Sequence, residues 1–152
     1  MQRRTCGFPT VPLLRAYSLS QGDHFYTTDA AEMEWAVSTG IYNSEGDAAT
    51  VLPSQAPLTV PLYRLYSASA GDHLYTTSAS ERDTASNEGY SYEGITAYVY
   101  PENDCGTVPL FRMYSPIVTD HFYTTNAAEK QSAITGTSGY VDEGIACYVN
   151  PQ

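Results

Sequence analysis

A chain of 152 residues has the length of one ordinary domain, which buries roughly two-thirds of its unfolded surface without help from metals or disulfides. Seventeen acids against seven bases give a formal charge of −10, a balance that repels nucleic-acid backbones and anionic lipid head groups and argues against both as partners. No run approaches the roughly 18 apolar residues of a membrane helix. The start, Met1-Gln-Arg-Arg-Thr-Cys-Gly, lacks the apolar core of a secretory signal, so the chain as written reads as cytoplasmic, or as extracellular if it is a mature form.

In chain order, residues 1–10 stand outside any repeat and are expected as a tail or a short lead-in strand. Three similar units follow within one domain, 11–53, 60–101 and 108–151, joined by the short polar connectors Ser54–Thr59 and Glu102–Thr107, which read as turns. Each unit opens on a β-type segment: VPLLRAYS from Val11, VPLYRLYS from Val60, VPLFRMYS from Val108. Alternation puts Val60, Leu62, Arg64 and Tyr66 on one face and Pro61, Tyr63, Leu65 and Ser67 on the other. A loop leads to the best-repeated stretch, GDHFYTT at Gly22–Thr28, GDHLYTT at Gly71–Thr77 and TDHFYTT at Thr119–Thr125, with the histidines 49 and then 48 residues apart. Because Thr119 replaces a glycine, the third loop is expected to differ in shape.

Next, Asp29-Ala-Ala-Glu32, Ser78-Ala-Ser-Glu81 and Asn126-Ala-Ala-Glu129 each place an N-cap residue three positions before a glutamate, the capping-box pattern, so a helix of about ten residues is expected three times. Gly40, Gly89 and Gly139 stand where a C′ glycine stops it. The glutamates are therefore expected as caps rather than catalytic acids. Each unit closes on an aromatic-rich strand such as GYSYEGITAYVYP, whose Glu-Gly pair, with Gly46, Gly94 or Gly144, suggests a β-bulge. Pairing each closing strand with the opening strand of the next unit, and the last with the first, gives a closed, pseudo-three-fold, all-β array of three small antiparallel sheets with short helices, small-propeller-like. A β-trefoil is the alternative, which the repeated helix opposes.

Three cysteines, Cys6, Cys105 and Cys147, occupy no shared repeat position. An odd count leaves one unpaired unless it bridges to another chain, and the sequence does not choose a pair. No close Cys or His spacing of the structural-zinc type occurs, and a His₃ site on the pseudo-axis is disfavoured because histidine at a strand start is expected at the periphery. No metal and no cofactor are expected. Serine-nucleophile motifs are absent, and the acids repeated in every unit have capping or pairing roles, so no catalytic residue is named and the protein is not expected to be an enzyme.

Together, VPLYRLYS, GDHLYTTSASER and YEGITAYVYP resemble the tandem repeats of an extracellular fungal and bacterial family described as a domain of unknown function, whose units read approximately YRFYN, GDHFYTTS, AER and YEGIAFYVF. The likeness covers about 140 residues, and the second unit fits best. In that family the repeats accompany secreted hydrolases and cell-wall proteins, and stand-alone three-unit forms resemble small fungal lectins. The resemblance implies a carbohydrate-binding module but supplies no agreed site. The first unit departs most, with Leu14 for Tyr63 and Asp47-Ala48 for Ile95-Thr96. A site built there is expected to be the weakest, and His24→Ala less damaging than His73→Ala or His121→Ala.

The residues themselves lead to a related expectation. Histidine and tyrosine at i and i+2 share a strand face beside a variable loop, where they can converge on one ligand. Three repeated trios, Asp23, His24 and Tyr26, Asp72, His73 and Tyr75, and Asp120, His121 and Tyr123, are the candidate carbohydrate-binding residues. Fourteen tyrosines, against four Phe and one Trp, suit half-exposed binding surfaces. The partners expected are glycans or glycoproteins, bound at up to three related sites. A protein-interaction or inhibitor module is the alternative. The conserved-in-kind arginines Arg15, Arg64 and Arg112 are expected to bond the glutamates before glycine, Glu45, Glu93 and Glu143.

Overall fold

The computed structural model describes residues 6–151. Part of the expected lead-in, residues 1–5, lies outside the described residues, and 6–10 carry no strand. From there the units are β1 (Val11–Ser18), β2 (Asp23–Thr27), α1 (Ala30–Ser38) and β3 (Asn43–Val51), then β4 (Val60–Ser67), β5 (Asp72–Thr76), α2 (Ala79–Ser86) and β6 (Ser91–Val99), then β7 (Val108–Ser115), β8 (Asp120–Thr124), α3 (Ala127–Thr135) and β9 (Val141–Val149). The fold is all-β with three short helices and three antiparallel three-stranded sheets, which do not join into one barrel.

Each sheet belongs to a single unit, in the orders β2-β1-β3, β5-β4-β6 and β8-β7-β9. This corrects the expected pairing of a closing strand with the next unit's opening strand. The helix packs over one face of its own sheet and carries the chain from one edge of the opening strand to the other. That edge is therefore filled before the connector begins. Val60 faces Val99 and Tyr66 faces Ser91, with register shifts between. The expected bulge lies there, since Gly46, Gly94 and Gly144 take φ of 82°, 107° and 89°, left-handed values that favour glycine.

Strand alternation builds two layers. Leu13, Leu62 and Leu110 point to the central core, with Tyr26, Tyr75, Tyr123, Val51, Val99 and Val149. The opposite face meets the helices: Ala16 and Phe25 pack on Met33 and Ala36 of α1, and Leu65 and Leu74 on Ala85 of α2. Helices of eight or nine residues are marginal alone and need such docking. α3 buries no residue and is held instead by polar and ring contacts, including Lys130 over the Phe111 ring at 4.5 Å.

The units join at the ends of their closing strands by reciprocal backbone hydrogen bonds, Thr50 with Asn150, Leu52 with Tyr98 and Tyr100 with Tyr148. Cys6 and Cys105 form a disulfide that links the segment before the first unit to the connector before the third, while Cys147 is free and buried. Closing a loop of 99 residues constrains the unfolded chain, by about 4–5 kcal/mol in the chain-entropy account. Two local expectations change. Thr119 adopts φ 57°, close to the 65° of Gly22 and Gly71, so the third loop keeps the same left-handed turn despite its side chain. Helix α3 ends at Gly136 rather than near Gly139.

Candidate functional site

The edge strands β2, β5 and β8 run beside the pseudo-axis, where their outward backbone groups need partners. Side chains of neighbouring units supply them. The Tyr75 hydroxyl accepts from the Tyr26 backbone N–H at 2.8 Å and donates to the Tyr26 carbonyl at 2.6 Å. Tyr123 does the same to Tyr75, and Tyr26 to Tyr123, closing a ring of edge-to-face phenols. Three residues before Tyr26, Asp23 accepts from the His73 backbone N–H at 2.9 Å, from His73 Nδ1 at 2.6 Å and from the Tyr42 hydroxyl at 2.6 Å. Asp72 holds His121 and Tyr90, and Asp120 holds His24 and Tyr140, in the same way.

The candidate trios are thereby split. Asp23, Asp72 and Asp120 are 0% exposed and Tyr26, Tyr75 and Tyr123 1% exposed, with their polar atoms engaged inside the protein. They cannot touch a ligand without unfolding the axis, which corrects their expected place at a sugar. Burial raises the phenol pKa of all three tyrosines and that of Asp120, against the opposing hydrogen bonds of His24. One carboxylate oxygen from each aspartate lies within 4.8 Å of the others, and each aspartate is already satisfied by three protein donors. Only the histidines reach outward. Nδ1 is committed to the aspartate, while Nε2 of His73 lies 3.7 Å from Glu93.

Outside this ring an arginine bridges each junction between units. Arg64 donates from Nε to Glu93 of its own unit at 2.9 Å and from Nη1 and Nη2 to Glu32 of α1 at 2.9 and 2.8 Å. Arg112 joins Glu143 to Glu81, and Arg15 joins Glu45 to Glu129. The expected bond between each arginine and the glutamate before glycine is present. The other glutamate differs from the expected capping box. Asp29 caps α1 by accepting from the Ala31 and Glu32 amides, but the Glu32 carboxylate turns to Arg64 and the Thr27 hydroxyl, and the Asp29 N–H is met by Thr27. Hydrogen bonds from Arg64 hold the Glu32 carboxyl below its ordinary range against the effect of burial. Burial, the largest single effect, opposes the charge of Arg64, and the Glu32 bonds outweigh it only together with the attraction of Tyr75, Glu32 and Glu93.

Between α1 and the sheet of the second unit these groups line a groove of about 370 Å³, with Trp35, Ile41 and Tyr42 on the helix side and Tyr66, His73 and Glu93 on the sheet side. Tyr66 packs on the His73 ring at 4.4 Å. Among the described residues, neither the Tyr66 hydroxyl nor His73 Nε2 has a hydrogen-bond partner. Sequence reasoning did not single out Trp35. Its signals are that it is the chain's one tryptophan and that its helix position holds Thr84 and Ser132 in the other units. The groove also revises the place of the divergent first unit, which contributes its helix to the second unit's histidine. A separate effect of its Asp47-Ala48 pair is the cavity beside Arg15, about 530 Å³, against about 190 Å³ where Ile95-Thr96 lines the corresponding cavity beside Arg64.

Residues 12–150 match the model of a family described as domain of unknown function DUF5648. The chain belongs to this family. No curated protein and no solved structure matches it.

Proposed function

We propose that this protein is a carbohydrate-binding protein that holds glycans, free or on glycoproteins, in the grooves between consecutive units. The observation that carries the reading is the convergence in one open groove of an aromatic and aliphatic wall, Trp35 and Ile41, with the Tyr66 hydroxyl and with His73 Nε2, which lies 3.7 Å from Glu93. A pyranose has an apolar C–H face and a rim of hydroxyls, and it needs this pairing of a flat apolar surface with a few fixed donors and acceptors. The groove is of a size suited to one or two sugar rings. His73 is oriented for the task, because its Nδ1 is anchored to Asp23 and its Nε2 is left for the groove. The His, Tyr, Arg and two Glu residues recur at all three junctions, so up to three related sites share this frame.

Binding without turnover is the better reading of the carboxylates. A glycosidase acid needs a pKa raised toward neutrality, whereas Arg64 holds Glu32 in the opposite direction. The Cys6–Cys105 disulfide supports an extracellular setting, since such bonds persist in oxidising compartments. The test is a glycan array probed with protein shown to be folded. Dose-dependent binding to a defined set of glycans is expected, and no signal above background would refute the proposal.

A further inference from the structure

The three junctions repeat their polar set but not their apolar wall. Trp35 is 69% exposed beside the His73 groove, and Ile41 is 42% exposed. At the other junctions the position of Trp35 is held by Thr84 and Ser132. Ile41 is an extra residue, because Gly40 and Tyr42 flank it whereas Gly89-Tyr90 and Gly139-Tyr140 are adjacent in sequence. An exposed indole on a helix carries a cost in solubility that its own packing does not explain, since the core contacts of α1 are made by Met33 and Ala36. Stacking of a sugar face on that ring does explain it.

The charges of the groove restrict what can stack there. Among the described lining residues Arg64 is the one arginine or lysine, and it is bonded to both Glu32 and Glu93. Those two carboxylates leave the lining net negative, inside a chain of charge −10. A carboxylate or sulfate on the ligand would meet repulsion with no free arginine or lysine among the described lining residues to offset it. By contrast, the Tyr66 hydroxyl, His73 Nε2 and the Glu93 oxygen not bonded to Arg64 can all exchange hydrogen bonds with neutral hydroxyls.

We infer that the protein has one primary sugar site, the Trp35–His73 groove, which accepts an uncharged pyranose, and that the other two junctions are structural copies without a platform. This deepens the carbohydrate reading and rests on it. Trp35 is the only tryptophan, so its emission reports on this groove alone. Titrations use methyl glycosides of glucose, galactose, mannose and N-acetylglucosamine, di-N-acetylchitobiose, sialyllactose as the anionic control, and the strongest binder on the array. A neutral sugar is expected to shift the emission and to bind in calorimetry with one site per chain, while sialyllactose does neither. Trp35→Ala should weaken the best neutral binder by about tenfold or more, and Trp35→Phe, which keeps a ring, by much less. Circular dichroism confirms that both variants fold.

A stoichiometry near three, an array that answers only to anionic glycans, or Trp35→Ala and Trp35→Phe affinities equal to each other would overturn this inference and leave the carbohydrate reading standing. An array without any binding would remove both.

Discussion

Next to the pseudo-axis the three units are chemically identical, and at the rim they are not. Asp23, Asp72 and Asp120 make the same three hydrogen bonds, and Tyr26, Tyr75 and Tyr123 the same two. On the helices, Trp35 corresponds to Thr84 and Ser132, α1 docks through Met33 and Ala36, and α3 buries nothing. Where three copies must meet one another, a change in one leaves a buried donor or acceptor of its neighbour unpaired, so repetition is enforced by desolvation cost. At the rim each copy faces water, and divergence costs little. Symmetry therefore marks the frame of this molecule, and departures from symmetry mark its candidate binding surface.

That contrast can be broken by experiment. Asp72→Ala leaves His121, its amide and Tyr90 without their common acceptor and should cost about 3–5 kcal/mol. Asp23→Ala and Asp120→Ala should cost the same to within about 0.5 kcal/mol, as measured by urea unfolding. Markedly unequal values would show that the axis is less symmetric than its hydrogen bonds. Tyr75→Phe strips the Tyr26 amide and carbonyl of their partner while leaving the ring in place, for about 2–4 kcal/mol.

Smaller effects belong to the junction pairs. Glu32, Glu81 and Glu129 all have carboxyl pKa values lowered in the folded state. Hydrogen bonds from Arg64 and Arg112 are the leading cause for the first two, whereas at Glu129 burial is the largest effect and is overcome by the bonds of Arg15 and Thr124 and the charges of Arg15 and His24 together. Such groups stabilise the fold fully above their unfolded pKa of about 4.3 and lose that contribution as pH falls through the lowered folded value. Asp120, raised by burial, works in the opposite sense and partly offsets the loss. The Tm should be flat from neutrality to about pH 5 and fall below about pH 4. Glu32→Gln, at a side chain 34% exposed, should cost about 1 kcal/mol or less at neutral pH, and the difference should shrink in acid. Smallest of all, Trp35→Ala should leave stability within about 0.5 kcal/mol of the parent. A larger loss in the same urea series would make Trp35 part of the frame rather than of the groove.

Much of the frame was legible in the chain. The opening strands are found at the residues that alternation proposes, the N-caps Asp29, Ser78 and Asn126 each accept helix amides, and the glycines of the Glu-Gly pairs take left-handed φ. These are local signals, set by steric preference and by side chains reaching neighbouring backbone. Strand partnership was misread because short connectors favour pairing between consecutive strands, and nothing local shows that the helix returns the chain to its own sheet. The candidate trio was legible as a constellation but not in its direction, since a strand pattern does not say which edge faces a second copy of itself.

The sequence by itself determined the repeat, the elements and the residue types that must be satisfied, because each of these follows from backbone geometry and hydrogen-bonding capacity within a few positions. Only the tertiary structure decided that Asp and Tyr are consumed at the axis, that histidine alone looks outward, and that the helix of one unit completes the groove of the next. Those outcomes depend on contacts about 30, 50 and 100 residues apart, where the partner that removes a group from water comes from a different copy of the repeat.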